Sequence, residues 1–160
     1  MTTARAAVLR AADQPYSIED VTLRDLRPNE VLVRIVGVGM CHTDVLPRTP
    51  GFFAPPPIVV GHEGAGVVEE IGDAVTSLAV GDHVVLSFDS CGQCANCLAG
   101  QPAYCDQFMV RNLFGRELDG TATVTDASGE AIGARWFGQS SFASHAIATE
   151  RNAVKVDPSL

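Results

Sequence analysis

Apolar positions along this chain recur with a two-residue period or in short β-branched runs, and seldom with helical spacing. Residues 4–10 (ARAAVLR) read as a first strand and residues 16–23 (YSIEDVTL) as a second. Residues 30–40 (EVLVRIVGVGM) form a long β-branched run. Gly37 and Gly39 within it mark places where a strand can bulge or another backbone can come close. Two more strands are predicted at 66–72 (GVVEEIG) and 82–88 (DHVVLSF), separated by a turn-rich stretch. Late strands are predicted at 142–149 (FASHAIAT) and 152–156 (NAVKV). Helical signals are weak. Residues 42–48 (HTDVLPR) allow one short turn with Thr43 or Asp44 near its start. Residues 54–61 (APPPIVVG) cannot be helical, because three successive prolines fix φ and remove donors. Many short strands between Gly/Pro turns predict a mainly β barrel or sandwich.

No G-x-G-x-x-G follows a strand and opens a helix. The nearest attempt, Gly64-Ala65-Gly66, has Glu69 in the third glycine position. The chain is therefore expected to carry no dinucleotide-binding unit of its own.

Composition narrows the class. A chain of 160 residues, 46% hydrophobic and 19% charged, suits one globular domain with a genuine core. The net charge of -8 argues against nucleic acid or an anionic membrane as partner. The N-terminus has no apolar stretch of signal-peptide length. The longest apolar run, 31–40, is interrupted by Arg34 and too short to span a bilayer. A cytoplasmic location follows as the expectation, and there clustered cysteines act as metal ligands rather than disulfides.

Cys91, Cys94, Cys97 and Cys105 stand in the pattern C-x2-C-x2-C-x7-C. Four thiolates at such spacing suit one closed, tetrahedral, structural zinc. An iron–sulfur cluster fits less well, since the last gap is seven residues and no proline follows Cys105. The fifth cysteine, Cys41, opens Cys41-His42-Thr43-Asp44, and Gly61-His62-Glu63 follows. One thiolate and one imidazole make half of a catalytic zinc site, which needs three protein ligands and one open position. His42, His83 and His145 are candidates for the third, and their spacing selects none of them. Taken alone, such residues are more often a core cysteine and a surface or capped histidine than metal ligands.

These stretches together resemble the N-terminal, GroES-like catalytic domain of zinc-dependent medium-chain alcohol dehydrogenases. GHEGAGVVEEIGDAV matches the family's G-H-E-x-x-G-x5-G-x-x-V signature at every specified position. GDHV and the four-cysteine loop follow in the family's order, and the similarity runs from ARAAVLR to NAVKVDP. CHTD, GDHVVLSF and FGQSSFASHAIATERNAVKV look closest to the aryl- and benzyl-alcohol branch. The resemblance implies a partly open β-barrel with short helices and a zinc lobe at about 89–107. It implies that Cys41 and His62 ligate a catalytic zinc and that Thr43 passes on the alcohol proton. Asp44 would hold the other nitrogen of His62, although a helix N-cap is an equal reading from sequence. Glu63 would tune the zinc field, and His42 would lie near the cofactor pyrophosphate. Phe88 and Phe52 would wall the substrate pocket. The activity implied is oxidation of a primary, aromatic alcohol by NAD.

Three departures stand out. The family's third catalytic ligand is a later cysteine, and none follows Cys105 here. The nucleotide-binding domain is missing, so the chain alone is expected to be inactive; with it, a homodimer or homotetramer is expected. Leu46 occupies the place of a histidine that often ends the proton relay, leaving water, His42 or a cofactor hydroxyl. The competing class is a zinc-stabilised GroES-like binding module without catalysis, against which stand CHTD and GHE at family spacing.

Overall fold

The computed structural model describes residues 1–159. The strands run in chain order as β1 (Thr2–Leu9), β2 (Ser17–Leu23), β3 (Glu30–Gly39), β4 (Ile58–Val59), β5 (Glu63–Ile71) and β6 (His83–Leu86). After them come α1 (Ala95–Leu98), α2 (Phe108–Asn112), β7 (Val124–Asp126), β8 (Ala131–Ile132), β9 (His145–Thr149) and β10 (Ala153–Lys155). Three short 3-10 segments cover His42–Arg48, Pro102–Tyr104 and Trp136–Gly138.

The strands form two five-stranded sheets, ordered β4-β1-β2-β7-β8 and β10-β6-β5-β3-β9. Every pairing within them is antiparallel. Bridges Ala6–Ala143 and Ile58–Gly133 tie further segments to the edges, giving a nearly closed barrel. The mainly β, barrel-type expectation holds. Antiparallel sheets of this kind have no place for the parallel crossover unit that binds dinucleotides, and none occurs among the described residues.

Inward-facing residues from both sheets meet in one cluster, including Ala4, Val8, Val21, Leu23, Leu32, Ile132 and Ile147. A second cluster packs Val31, Val33, Val68 and Val84 against Ala146 and Ala148. A third gathers Leu9, Ala54, Ile58 and Val60 around Trp136, which is fully buried. The strand β3 shows why it reads as a continuous apolar run. Its first half is buried on both faces between β5 and β9, while Val36 and Val38 in its second half are exposed. Register shifts in the β3–β5 ladder fall at Leu32/Val33 and Ile35/Gly37, the second beside an expected bulge glycine.

The β3–β5 register positions the chemistry. Gly39 at the end of β3 pairs with Glu63 at the start of β5. The chain leaves one strand through Met40 into Cys41 and enters the other from His62, so two residues 21 apart in sequence become neighbours.

Candidate metal centres and the hollow beside them

The four-cysteine loop leaves the barrel after β6. One turn of helix, α1, carries Cys97 and has Cys94 at its N-terminal boundary, and the Pro102–Tyr104 turn returns the chain to Cys105. The four sulfurs lie within 4.8 Å of one another. Cys91 Sγ and Cys97 Sγ are 3.9 Å apart. Two sulfurs at about 2.3 Å from a tetrahedral zinc stand about 3.8 Å apart, so the donor set and spacing fit that ion. Backbone amides complete the cage. Cys91 Sγ accepts from the N–H of Cys94 at 3.3 Å and Gln93 at 3.5 Å, and Cys105 Sγ accepts from the N–H of Cys91 at 3.3 Å.

Those amides hold the Cys91 thiol down to about 6, the Gln93 N–H first. The Asp106 N–H also holds Cys94 below the ordinary thiol range. Desolvation pushes Cys97 up to about 11, and neighbouring thiols add to it. Zinc takes thiolates, so at pH 7 Cys97 must release a proton to bind, whereas Cys91 is largely ionised already. Acidification therefore weakens binding, and more steeply below pH 6, where Cys91 also takes up a proton. Chelator competition across pH 5–8 is expected to show at least about a tenfold loss of zinc affinity per unit. An affinity independent of pH would contradict this picture.

The second centre sits where β3 and β5 meet. Cys41 caps the His42–Arg48 turn, its Sγ accepting from Thr43 N at 3.3 Å. Asp44 is buried and serves three donors at once. Its Oδ2 accepts from Cys41 N at 3.2 Å; its Oδ1 accepts from Gly61 N at 3.0 Å and lies 2.9 Å from His62 Nδ1. The N-cap position expected of Asp44 is held by Cys41; Asp44 is the third residue of the turn, and its carboxylate both closes the capping box on Cys41 N and lies against His62. With Nδ1 engaged, His62 presents Nε2 to Cys41 Sγ at 3.3 Å. Sulfur at about 2.3 Å and nitrogen at about 2.0 Å from one zinc span such a distance at a near-tetrahedral angle.

Among the described residues, the group completing this site is Glu63. Its Oε1 lies 4.0 Å from His62 Nε2, and the side chain is half exposed, free to close the small remaining gap. Gly39 makes this possible: a Cβ there would lie 2.0 Å from Glu63 Oε2. The expected alternatives fall elsewhere. His145 lies between Ser144 and Glu69. Neither His42 nor His83 joins a ligand group. A zinc held by Cys41, His62 and Glu63 would keep an open position, and the set of one sulfur, one nitrogen and one oxygen fits zinc.

A hollow of about 430 Å³ opens beside this centre, lined by His62, Glu63, Val85, Phe88 and Phe137 among others. Phe137 stacks on the His62 ring with centroids 4.6 Å apart. It does so from a left-handed backbone conformation, φ 49°, uncommon for a bulky residue. Phe88 lines the hollow. Phe52 does not line it; its ring packs 6.1 Å from Trp136, one ring behind Phe137. The apolar cluster around Trp136 draws it inward. Leu46 joins the same cluster. His42 is exposed and Thr43 half buried at the start of the 3-10 turn.

Sequence reasoning missed Phe137 and Gln139. Gln139 is buried and brackets the site: it donates to His62 O at 2.9 Å and Ser87 O at 3.1 Å, and accepts from Gly64 N at 3.1 Å. Both lie in the FGQSSF stretch that carried part of the resemblance. Their isolated residue types announce no metal chemistry.

Residues 27–158 match the family profile described as alcohol dehydrogenase GroES-like domain. The chain belongs to that family. It is 48% identical to geraniol dehydrogenase of Castellaniella defragrans over 99% of this chain and 42% of that protein. Among solved structures, an alcohol dehydrogenase zinc-binding domain protein from Burkholderia ambifaria superposes with a TM-score of 0.94 at 50% identity. That match covers 98% of this chain and 42% of the other. Benzyl alcohol dehydrogenase from Acinetobacter calcoaceticus gives a TM-score of 0.93 at 40% identity, over 100% of this chain and 42% of that one. The GroES-like domain described here thus spans well under half the length of these relatives. No helix among its described residues is long and apolar enough to cross a membrane.

Proposed function

We propose that this domain is the substrate-side half of a zinc-dependent alcohol dehydrogenase that oxidises a primary, aromatic alcohol with NAD held by a separate nucleotide-binding domain. The observation that carries the reading is the Cys41–His62–Asp44 arrangement opening onto the Phe88–Phe137 hollow. Bound by Cys41, His62 and Glu63, zinc would act as a Lewis acid on the substrate oxygen and ease loss of its proton. Asp44 fixes the His62 tautomer that leaves Nε2 free to ligate. Thr43, next to Cys41, takes the hydroxyl proton and passes it towards solvent, with exposed His42 beside it, because Leu46 is committed to the core. His42, exposed beside Cys41, is in this reading the residue that meets the cofactor pyrophosphate.

The aromatic preference rests on the two phenylalanine faces, which suit a flat substrate through edge and offset contacts. Of the relatives, the benzyl alcohol dehydrogenase supports it, while the geraniol dehydrogenase supports only an alcohol substrate.

In the enzyme that joins this domain to its nucleotide-binding half, benzyl alcohol is expected to reduce NAD. Cys41→Ser should lower kcat/KM by more than about 100-fold, the loss typical of a partner one step further from the metal. The 160-residue chain alone should hold zinc and show no turnover. Benzyl alcohol oxidation by the isolated chain would sink the two-domain reading. Full activity in the Cys41→Ser enzyme would overturn the catalytic role of Cys41, and no activity in the parent two-domain protein would favour a binding module.

A further inference from the structure

Five of the eleven basic residues of this acidic chain lie at or behind one cavity, separate from the hollow beside Cys41 and His62. The cavity measures about 190 Å³ and is lined by Arg27, Arg111, Arg116 and Arg135 together with Glu30, Asp89 and Glu117. Arg24 reaches in from behind, pairing with Glu30 at 2.7 Å and Glu117 at 2.9 Å. Arg111 pairs with Asp89 at 2.9 Å and Arg27 with Asp119 at 2.7 Å. Five guanidiniums thus face four carboxylates.

Three guanidiniums retain donor capacity. Arg135 is buried, and one of its terminal nitrogens donates to Gly138 O and Ile147 O. Its other two nitrogens stand off, 3.4 Å from Glu117 and 3.6 Å from Asp89. Arg24 Nε is buried without any partner. Arg116 forms no ion pair among the described residues, although it lines the cavity. Buried donors without acceptors are costly, and packed like charges repel. An arginine fork matches a tetrahedral oxyanion, and a concave basic site focuses its field on one. The volume is about six times the share of one water, enough for an oxyanion of five heavy atoms.

We propose that this cavity binds a small oxyanion of the phosphate class. Bound there, the anion offsets the excess cation and supplies acceptors to Arg116 and Arg135. It also links parts of the domain that flank the metal centres, through Arg111, which pairs with Asp89 two residues before Cys91, and through Arg135, which directly precedes the Trp136–Phe137 turn that packs on His62.

Free phosphate and a phosphomonoester share this chemistry, so inorganic phosphate and AMP are the two probes. Calorimetry on the zinc-loaded chain, with sodium chloride balancing ionic strength, is expected to give a Kd near about 1 mM for one of them. Arg116→Ala should weaken that binding at least about tenfold. Its melting temperature without anion should stay unchanged, since it breaks no ion pair. Arg5→Ala, a remote arginine, should leave binding intact. Tighter binding of phosphate than AMP assigns the site to the free ion, and the reverse to a phosphomonoester. No binding of either below about 10 mM overturns the proposal. So does equal binding by Arg116→Ala, which would place the anion at the open metal position instead.

Discussion

Replacing Cys97 by serine is expected to empty the four-cysteine site and unfold the Cys91–Cys105 loop while the two sheets persist. The reason lies in what the loop has besides metal. Its one α-helix is four residues long, far too short to hold itself. Within residues 91–105, Cys105 alone is buried, so no apolar core supports the rest. Four thiols within 4.8 Å of one another are held together against their own repulsion once ionised. Structural zinc typically contributes about 10 kcal/mol to such elements, and that term is the loop's folding energy. A serine hydroxyl ligates zinc poorly at neutral pH, and three thiolates leave the fourth position of the tetrahedron without a strong ligand. The damage should stop at the loop's edges. On one side Asp89 accepts from Ser90 N and pairs with Arg111; on the other Asn112 donates to Asp89 O and accepts from Asp89 N. These bonds anchor β6 and α2 without the metal. Limited proteolysis should therefore cut within 91–105, zinc content should fall by one per chain, and the β-sheet circular dichroism should remain. Protease resistance equal to the parent chain would show that the loop folds without zinc.

The same contrast explains which parts of the molecule were legible in the sequence. Strands β1, β2, β3, β5, β6 and β9 announce themselves, because each runs long enough to alternate or to form a β-branched block, and the three-residue β10 is caught within the alternating stretch NAVKV. β4, β7 and β8 have two or three residues each and exist through pairing with neighbours distant in sequence, such as Val8–Val59 and Leu23–Val124. No local signal encodes such partners. Helices α1 and α2 were missed for a related reason: in the loop, metal-ligand geometry sets the backbone rather than an apolar stripe. At the site, the four clustered cysteines stood out by residue type and spacing, and Cys41 and His62 through the CHTD and GHE stretches that carry the resemblance. Glu63 as the third donor did not. Its role depends on the β3–β5 register and on the missing side chain of Gly39, both facts of tertiary structure. Phe52 shows the opposite failure: a position resembling a pocket wall is claimed by the Trp136 cluster, because burial of a ring there outweighs exposure in the hollow. Gln139 is invisible in sequence because its work, bracketing His62 O and Ser87 O, needs two strands already in place.

Asp44→Asn is expected to strip the second metal centre of its order while keeping the side chain's shape. The parent carboxylate offers acceptors only, and three donors converge on it: Cys41 N, Gly61 N and His62 Nδ1. An asparagine has one oxygen and one amide nitrogen. Placed with its oxygen towards Gly61 and His62, it sets its NH2 against the Cys41 N–H. Turned round, it sets the NH2 against both other donors, and His62 is then driven to accept at Nδ1 and carry its proton on Nε2. In that tautomer the nitrogen facing Cys41 Sγ has no lone pair for a metal. Either arrangement leaves a buried donor unpaired, a cost of about 1–3 kcal/mol, and removes the negative charge that favours a cation beyond the imidazole. Zinc affinity at Cys41–His62–Glu63 should fall about 10- to 100-fold. Zinc at the four-cysteine loop should be unaffected, because no residue of that cage touches Asp44. Titrating zinc into the metal-free chain against a chelator separates the two sites by affinity. Loss confined to the weaker step supports the assignment of Asp44 as the residue that positions His62. An unchanged weaker step would mean that His62 is held by packing against Phe137 alone.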